Sequence, residues 1–199
     1  MTYYERNLPH WIPPGRPIFI TWRLIDTLPR ALIASLRSSP LSSRRKFAVT
    51  DRFLDRACSG PRWLTVPEIA GVVRDSILKG ASELPQYNLI AYVVMPNHVH
   101  LLIEPALPLA RITRGIKGTT ARSANLILGR PGERFWQDES FDHWVRTAAE
   151  GEKIIRYIEQ NPVKAGLTAT CTGWPWSSAS PPVGQALLPV RGVAANNMR

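Results

Sequence analysis

The sequence has no apolar run long enough to cross a membrane, and it has few cysteines. No stretch of about 18 consecutive apolar residues occurs among its 199 residues, so we expect no transmembrane helix. The N-terminal segment lacks the apolar core and small-residue cleavage site of a signal peptide. The two cysteines, Cys58 and Cys171, fit neither a metal-site spacing nor a disulfide framework. These absences predict a cytoplasmic protein without membrane contact.

Acidic residues are also scarce, and the chain is strongly basic as a result. Lysine is scarce among its basic residues. The chain has 25 Lys and Arg against 15 Asp and Glu, a net charge of +10, and 20 of the 25 cations are arginine. The planar guanidinium group matches phosphate oxygens and stacks on bases. A polyanion such as nucleic acid is therefore the expected partner. A generally basic, solvated surface is the alternative that composition leaves open.

The length and the apolar content predict one globular unit. Hydrophobic residues make up 44% of the chain, which is enough to build a core, and 199 residues lie within the usual range of a single domain. We place this domain at residues 1–180. Residues 181–199 are rich in Pro, Gly, Ala and Asn and are expected to form a disordered tail.

Hydrophobic periodicity predicts an alternation of strands and helices. The predicted strands cover residues 17–25, 87–95, 98–104 and 141–146, and the predicted helices cover 28–36, 65–80, 107–128 and 147–160. Two of the helices open on capping boxes, Thr65-Val-Pro-Glu68 and Thr147-Ala-Ala-Glu150. Residues 38–61, rich in serine and arginine, are interpreted as a basic connector with at most one irregular helical turn.

This order of elements predicts an α+β fold. Strand, helix, strand occurs twice, as in the ferredoxin-like split βαβ arrangement, which has an antiparallel sheet with helices on one face. An extra C-terminal helix follows the last strand. Leu126 and Ile127, near the end of the third predicted helix, are expected to face inward.

The sharpest chemical feature is His98-Val99-His100. Side chains alternate along a strand, so the two imidazoles point to one face and Val99 points to the other with Leu101 and Ile103. Two histidines on one face can hold a metal ion and leave coordination positions open for a further ligand and for substrate oxygens. A half-exposed strand that carries two histidines without a metal is the alternative.

The second feature is Tyr157 with Asn161, four residues further on and therefore on the same side of a helix. Ile154, Ile155 and Ile158 form the apolar stripe of this helix, and Tyr157 lies at its margin. A phenol and an amide oxygen would project together from that side. A packing tyrosine and a helix-stop asparagine are the commoner arrangement and remain the alternative.

Two further groups of residues suggest a nucleic-acid surface. In Phe141-Asp-His-Trp-Val-Arg146, His143 could orient or ligate a group, and Arg146 could contact phosphate. Aromatic residues stand beside arginine in Arg134-Phe135-Trp136, a combination with which proteins bind single-stranded nucleic acid. Core packing of the aromatic residues, and a structural role for His143, are the alternatives.

Several motifs resemble those of the REP-associated tyrosine transposases, which belong to the single-tyrosine HUH transposases and are IS200-like. The two long ones are Tyr92-Val-Val-Met-Pro-Asn-His-Val-His100 and Tyr157-Ile-Glu-Gln-Asn-Pro-Val-Lys-Ala-Gly166. Shorter ones are Thr21-Trp-Arg-Leu24, Ile116-Lys117, Phe135-Trp-Gln137, Phe141-Asp-His143 and Trp176-Ser-Ser-Ala179. The similarity covers roughly residues 15–180. Residues 38–61 are less similar, and nothing is carried over there.

The resemblance implies a site and a reaction. His98 and His100 would hold Mg²⁺ or Mn²⁺, Asn161 would be the third metal-binding side chain, and Tyr157 would be the nucleophile. The family cleaves single-stranded DNA beside hairpin-forming, REP-like palindromes through a 5′-phosphotyrosine and rejoins strands, as a monomer or a homodimer. The residues expected to contact DNA are Lys117, Arg134, Trp136 and Arg146 and, from their charge and not from the resemblance, Arg44, Arg45 and Lys46, with His143 as a possible accessory residue.

Two other functions compete with this one. The first is a hairpin DNA- or RNA-binding protein, derived from a transposase, that no longer cuts. The second is a metallohydrolase that uses His-x-His in a barrel, but 199 residues are few for a barrel of about 250. The further ligands of such a barrel do not occur in the sequence.

Overall fold

A computed structural model describes residues 3–5, 9–11, 15–57, 59–138 and 140–181 of the chain. Residues 182–199 of the tail predicted at 181–199, and Cys58, lie outside the described residues. Two short strands, β1 (Tyr3–Glu5) and β2 (Pro9–Trp11), pair antiparallel. The other strands are β3 (Ile18–Arg23), β4 (Tyr87–Val94), β5 (His98–Pro105) and β6 (Phe141–Trp144). The helices are α1 (Arg30–Ser38), α2 (Ser43–Arg56), α3 (Pro67–Ser82), α4 (Leu109–Ile127) and α5 (Ala148–Lys164).

Four strands form one antiparallel sheet in the order β4-β5-β3-β6. The hairpin of β4 and β5 turns at Pro96 and Asn97, and β3 lies beside β5 although about 75 residues separate them in sequence. With α3 between β3 and β4, and α4 between β5 and β6, this is the strand order of the split βαβ arrangement. The predicted α+β, ferredoxin-like fold is confirmed.

Each face of the sheet packs against helices. Val99, Leu101 and Ile103 of β5 point toward α3 and α4, in a core that also holds Trp22 and Ile77. The opposite face of the sheet packs against α5 and α2 through a second cluster, Phe19, Ala91, Val93, Met95, Leu102, Val145 and Ile158, with Phe47 against it. Helices therefore cover both faces, because α2 and α5 pack on the face opposite to α3 and α4, whereas the predicted split βαβ arrangement has its helices on one face.

Helix α2 corrects the interpretation of residues 38–61 as a connector. Serine and arginine obscure an amphipathic pattern, in which Phe47, Asp51 and Leu54 lie on the side that faces the sheet. The helix ends at Ala57, which adopts a left-handed conformation with φ of 45°. Fourteen residues of the segment interpreted as a basic connector therefore form a helix that packs beside the histidine strand.

Other helix ends differ from the prediction. Helix α5 continues to Lys164 with Pro162 inside it, because Ala165 and Gly166 still donate backbone hydrogen bonds to Asn161 and Val163. Helix α3 passes Gly80 and begins without a side-chain cap, since the Thr65 hydroxyl donates to the carbonyl of Arg62. Thr147, by contrast, does cap α5 by accepting from the Glu150 amide.

Leu126 and Ile127 do not face inward. They are 65% and 46% exposed, because Ala124, Asn125 and Leu128 occupy the side of the last turns of α4 that faces the core. After α5 the chain runs along the edge strand β4, where Val94 and Trp176 share a backbone hydrogen bond of 2.8 Å. This segment protects an edge that would otherwise expose unpaired backbone groups.

Candidate metal and nucleophile site

The two histidines of β5 meet at one buried point. Both side chains are fully buried, and their Nε2 atoms lie 3.0 Å apart. Nδ1 of His98 lies 2.6 Å from Oδ1 of Asn97, and Nδ1 of His100 lies 2.7 Å from Oγ1 of Thr21 on β3. Because an amide oxygen only accepts, His98 donates from Nδ1 and keeps a lone pair on Nε2. The prediction that both rings share a face is confirmed by this geometry.

Helix α5 places Asn161 beside these rings. Its side chain is fully buried, and Nδ2 lies 3.2 Å from Nε2 of His100. Oδ1 is buried too and has no hydrogen-bond partner within the described part of the chain. A buried acceptor without a partner is costly, unless the site provides a proton donor or a cation.

Helix α2 contributes two carboxylates that sequence reasoning missed. Oδ1 of Asp51 lies 3.3 Å from Nε2 of His100, and Oδ1 of Asp55 lies 3.7 Å from Nε2 of His98. One ligand atom from each of these four residues falls within 4.8 Å of the others. The available signal was the spacing of two aspartates four residues apart, which puts both on one side of a helix. The surrounding arginines favoured the interpretation of this segment as a basic connector.

Burial controls the protonation of this group. Desolvation lowers the pKa of His98 to about 3, with a contribution from His100, and lowers the pKa of His100 to about 3. Both rings are therefore neutral, which is the form that binds metals. Desolvation also raises the pKa of Asp51, and together with the charge of Asp51 it raises the pKa of Asp55 to about 7.

The donor atoms suit a divalent cation. Oδ1 of Asp51, Asp55 and Asn161 are all buried without a hydrogen-bond partner among the described residues, and they accompany two neutral imidazoles. A cation would satisfy these atoms and offset the cost of desolvating two carboxylates. Mn²⁺ accepts sites that combine oxygen ligands with imidazole nitrogens. Mg²⁺ prefers oxygen ligands and is compatible with fewer nitrogens. The residues therefore fit the predicted kind of metal.

Tyr157 stands at the margin of this group. Its ring packs edge-on against His100, with centroids 5.4 Å apart, and against Phe19 at 5.9 Å. The phenol donates a hydrogen bond to Oδ2 of Asp51. Burial, with the nearby charge of Asp51, raises the pKa of Tyr157 far above its usual value. The side chain is therefore held as a neutral phenol in contact with the group that contains both histidines.

The other predicted residues lie apart from this group. His143 forms an ion-pair contact of 3.0 Å with Glu150, and Arg146 is exposed above the Trp144 ring. Arg44 and Arg45 are exposed on the first turn of α2, where Lys46 is half-buried.

Two residues predicted to contact DNA also have partners within the protein. Lys117 donates to the carbonyl of Asp138 at 3.0 Å, and exposed Arg134 pairs with the carboxylate of that residue. Trp136 corrects the prediction of base stacking. It is buried, packs against Trp22 and donates from Nε1 to Thr120, so its ring offers no free face to a base.

Comparison with known proteins agrees with this geometry. The family of IS200-like transposases matches residues 68–161, which include both histidines, Tyr157 and Asn161. A REP-associated tyrosine transposase of Escherichia coli K12 is 27% identical over 122 residues, covering 60% of this chain and 70% of the relative. A solved structure of a REP-associated tyrosine transposase bound to a REP hairpin covers the whole chain, with a TM-score of 0.55 and 20% identity.

These matches show which proteins the chain is similar to in sequence and in fold. The fold is that of the hairpin-bound structure, and the family segment contains the residues that meet in the site. Over residues 68–161 the chain is similar to the family of IS200-like transposases. Its similarity to the REP-associated tyrosine transposases, predicted from the motifs, is confirmed. Within the described residues no helix is long and apolar enough to span a membrane.

Proposed function

We propose that this protein is a metal-dependent endonuclease and strand transferase that acts on single-stranded DNA beside REP-like hairpins. The observation that carries the proposal is the meeting of Tyr157 with His98, His100 and Asn161, which come from α5 and β5. A phenol, two neutral imidazoles and an amide around one buried point are what phosphoryl transfer by a tyrosine requires. The positive charge of the chain suits a polyanionic substrate.

The reaction is a displacement at phosphorus. The Tyr157 hydroxyl gives up its proton, and its oxygen attacks the scissile phosphate. A phosphorus–oxygen bond forms as the bond to the 3′-oxygen breaks, and the departing 3′-oxygen takes up a proton. The DNA then carries a free 3′-hydroxyl on one side and a 5′-phosphotyrosine on the other. Attack by a 3′-hydroxyl on the phosphotyrosine releases Tyr157 and joins the strands. The energy of the phosphodiester is kept in the covalent link, so strand transfer needs no nucleotide cofactor.

The chain's residues prepare this step in three ways. His98, His100 and Asn161, with Asp51 and Asp55 of α2, would hold the divalent cation. When bound, the cation polarises the phosphate oxygens and offsets the charge that develops during displacement. Phe19 and His100 fix the Tyr157 ring between them. The full burial of both histidines keeps water from competing at the same point.

A gel assay tests the proposal. A labelled single-stranded hairpin oligonucleotide is incubated with the protein and Mn²⁺ and resolved under denaturing conditions. We expect a protein–DNA adduct that disappears in Tyr157→Phe and in excess chelator. Tyr92→Phe is the matched control, because this tyrosine lies on the opposite face of the sheet. Hairpin binding without an adduct in the unmodified protein would instead favour the non-catalytic hairpin-binding function.

A further inference from the structure

Asp51 contacts both the nucleophile and a histidine of the proposed metal site. Oδ2 accepts the Tyr157 hydrogen bond, while Oδ1 lies 3.3 Å from Nε2 of His100. The side chain is only 5% exposed. We propose that Asp51 is a positioning residue, whose carboxylate sets the place of the Tyr157 oxygen relative to the histidine pair. This inference rests on the function proposed above, for which Tyr157 is the nucleophile.

The contacts of Asp51 complete a closed ring of four residues. Tyr157 and Asn161 lie one helical turn apart on α5, and Asn161 reaches Nε2 of His100 at 3.2 Å. Asp51 reaches the same nitrogen from α2 and returns to α5 at the phenol. The four side chains therefore connect α2, β5 and α5 around one point. The position of the phenol oxygen depends on each of these contacts.

The aromatic contacts of Tyr157 position its ring but do not direct its hydroxyl group. Phe19 and His100 hold the ring by its edges and limit its tilt. Neither contact directs the hydroxyl group, because both are made by ring carbons rather than by a hydrogen-bond acceptor. The hydroxyl proton is directed by the hydrogen bond to Asp51, while the phenol oxygen also has a hydrogen bond with the Asn161 side chain one turn away.

Helix α2 does not depend on Asp51 for its position. Phe47 stacks on Phe141 with centroids 4.1 Å apart, and Nδ2 of Asn97 donates to the carbonyl of Leu54 at 3.1 Å. A substitution at Asp51 should therefore leave the helix in place. The effect of the substitution then reports on the side chain rather than on the loss of α2.

Asp55 provides the matched control. It lies one turn further along the same helix, belongs to the same group of four ligand atoms and faces His98 at 3.7 Å. Its hydrogen bonds do not include Tyr157. Removing Asp55 therefore removes a carboxylate from the proposed metal site without touching the phenol, whereas removing Asp51 changes both.

The experiment combines a spectroscopic and a kinetic measurement on the full chain. The protein is labelled with ¹³Cζ-tyrosine, and the Tyr157 resonance is assigned by its loss in Tyr157→Phe. Without DNA or metal, we expect Asp51→Ala to move this resonance toward that of free tyrosine, and Asp55→Ala to leave it in place. The Tyr87 resonance serves as an internal reference, because its hydroxyl donates to the carbonyl of Ile77.

The kinetic measurement is the single-turnover rate of adduct formation at saturating hairpin DNA and Mn²⁺. Calorimetry with Mn²⁺ alone establishes saturation for each variant. We expect Asp51→Ala to lower this rate by about tenfold to a hundredfold more than Asp55→Ala, with hairpin affinity unchanged. Asp51→Asn, which keeps the shape and one acceptor oxygen, should recover part of the loss.

Two results would overturn the inference. One is an unmoved Tyr157 resonance in Asp51→Ala, and the other is an equal loss of rate in the two alanine variants once Mn²⁺ is saturating. If Asp51→Ala does not fold, the same criteria apply to Asp51→Asn. Failure of the unmodified protein to form any adduct would contradict the proposed function, while the resonance would still decide whether Asp51 positions the phenol.

Discussion

The side-chain amide of Asn161 lies 3.2 Å from Nε2 of His100, although 61 residues separate the two in the chain. The contact joins the last turns of α5 to the strand that carries both histidines. Because Asn161 is fully buried, its position depends on the packing of Ile158 and Pro162 around it. The site therefore forms only when α5 is correctly docked against the sheet.

Asn161→Ala should weaken metal binding. The substitution removes a buried oxygen that lacks a hydrogen-bond partner in the described part of the protein and that faces the proposed cation. We expect the Mn²⁺ dissociation constant to rise by about tenfold to a hundredfold, measured by calorimetry on the protein without DNA. Gln160→Ala, an exposed neighbour on the same helix, is the control. Equal affinities in the two variants would remove Asn161 from the metal site.

Local patterns predicted half of this site and could not predict the rest. His98 and His100 share a face because strands alternate, and Tyr157 and Asn161 share a side because helices repeat about every 3.6 residues. Both rules apply to residues that are close together in the sequence. Asp51 reaches Tyr157 across 106 residues, and no local rule brings α2 to that face of the sheet.

Tertiary packing also decided several smaller features. Trp136 stands beside arginine in the sequence, yet it is buried against Trp22, because β3 and the segment before β6 come together. Pro162 is a helix-breaking residue by propensity, but the packed last turn of α5 accommodates it. By contrast, the order of the strands along the chain and the hairpin of β4 and β5 follow from hydrophobic periodicity, and the sequence predicts them.

Exposed arginines of α2 should contribute to DNA binding through phosphate contacts. Arg44 and Arg45 are exposed in the first turn of the helix that also carries Asp51. In Arg44→Ala/Arg45→Ala, we expect the slope of log affinity against log salt to become shallower by about 0.7 for each lost contact with single-stranded DNA. Arg111→Ala/Arg114→Ala, which removes two exposed charges from α4, is the matched control. If the salt slope of the α2 variant equals that of the unmodified protein, Arg44 and Arg45 make no phosphate contacts.

Gly80 of α3 should resist replacement by alanine. A Cβ atom there would lie 2.7 Å from Cζ of Tyr87, whose ring is buried and whose hydroxyl is bonded to the carbonyl of Ile77. The ring has no room to retreat, so we expect Gly80→Ala to lower the free energy of unfolding by about 1–3 kcal/mol.

Gly118 of α4 is the control for this substitution, because a Cβ atom there meets no neighbouring atom within 4 Å. Alanine is the better helix former, and Gly118→Ala should raise the free energy of unfolding by roughly 0.5–1 kcal/mol. Urea denaturation of both variants measures the difference. A stabilising effect at Gly80 would show that Tyr87 can move.

Glu150 should stabilise the folded protein in a manner that depends on pH. Partial desolvation raises its pKa, but the backbone amide of Arg146 and the side chain of His143 outweigh this, and the net pKa is lowered. Because the folded state favours the ionised form, the stabilisation is fully present above the pKa of the unfolded chain. It is lost as the pH falls through the lower pKa of the folded state.

Glu150→Gln removes this titration while keeping the size of the side chain. We expect the variant to have a smaller free energy of unfolding than the unmodified protein at neutral pH, and the difference to shrink as the carboxyl group becomes protonated in acid. Urea denaturation over a pH series measures it, with Glu152→Gln, an exposed neighbour on α5, as the control. A difference that stays constant from neutral to acid pH would show that the carboxylate charge contributes nothing.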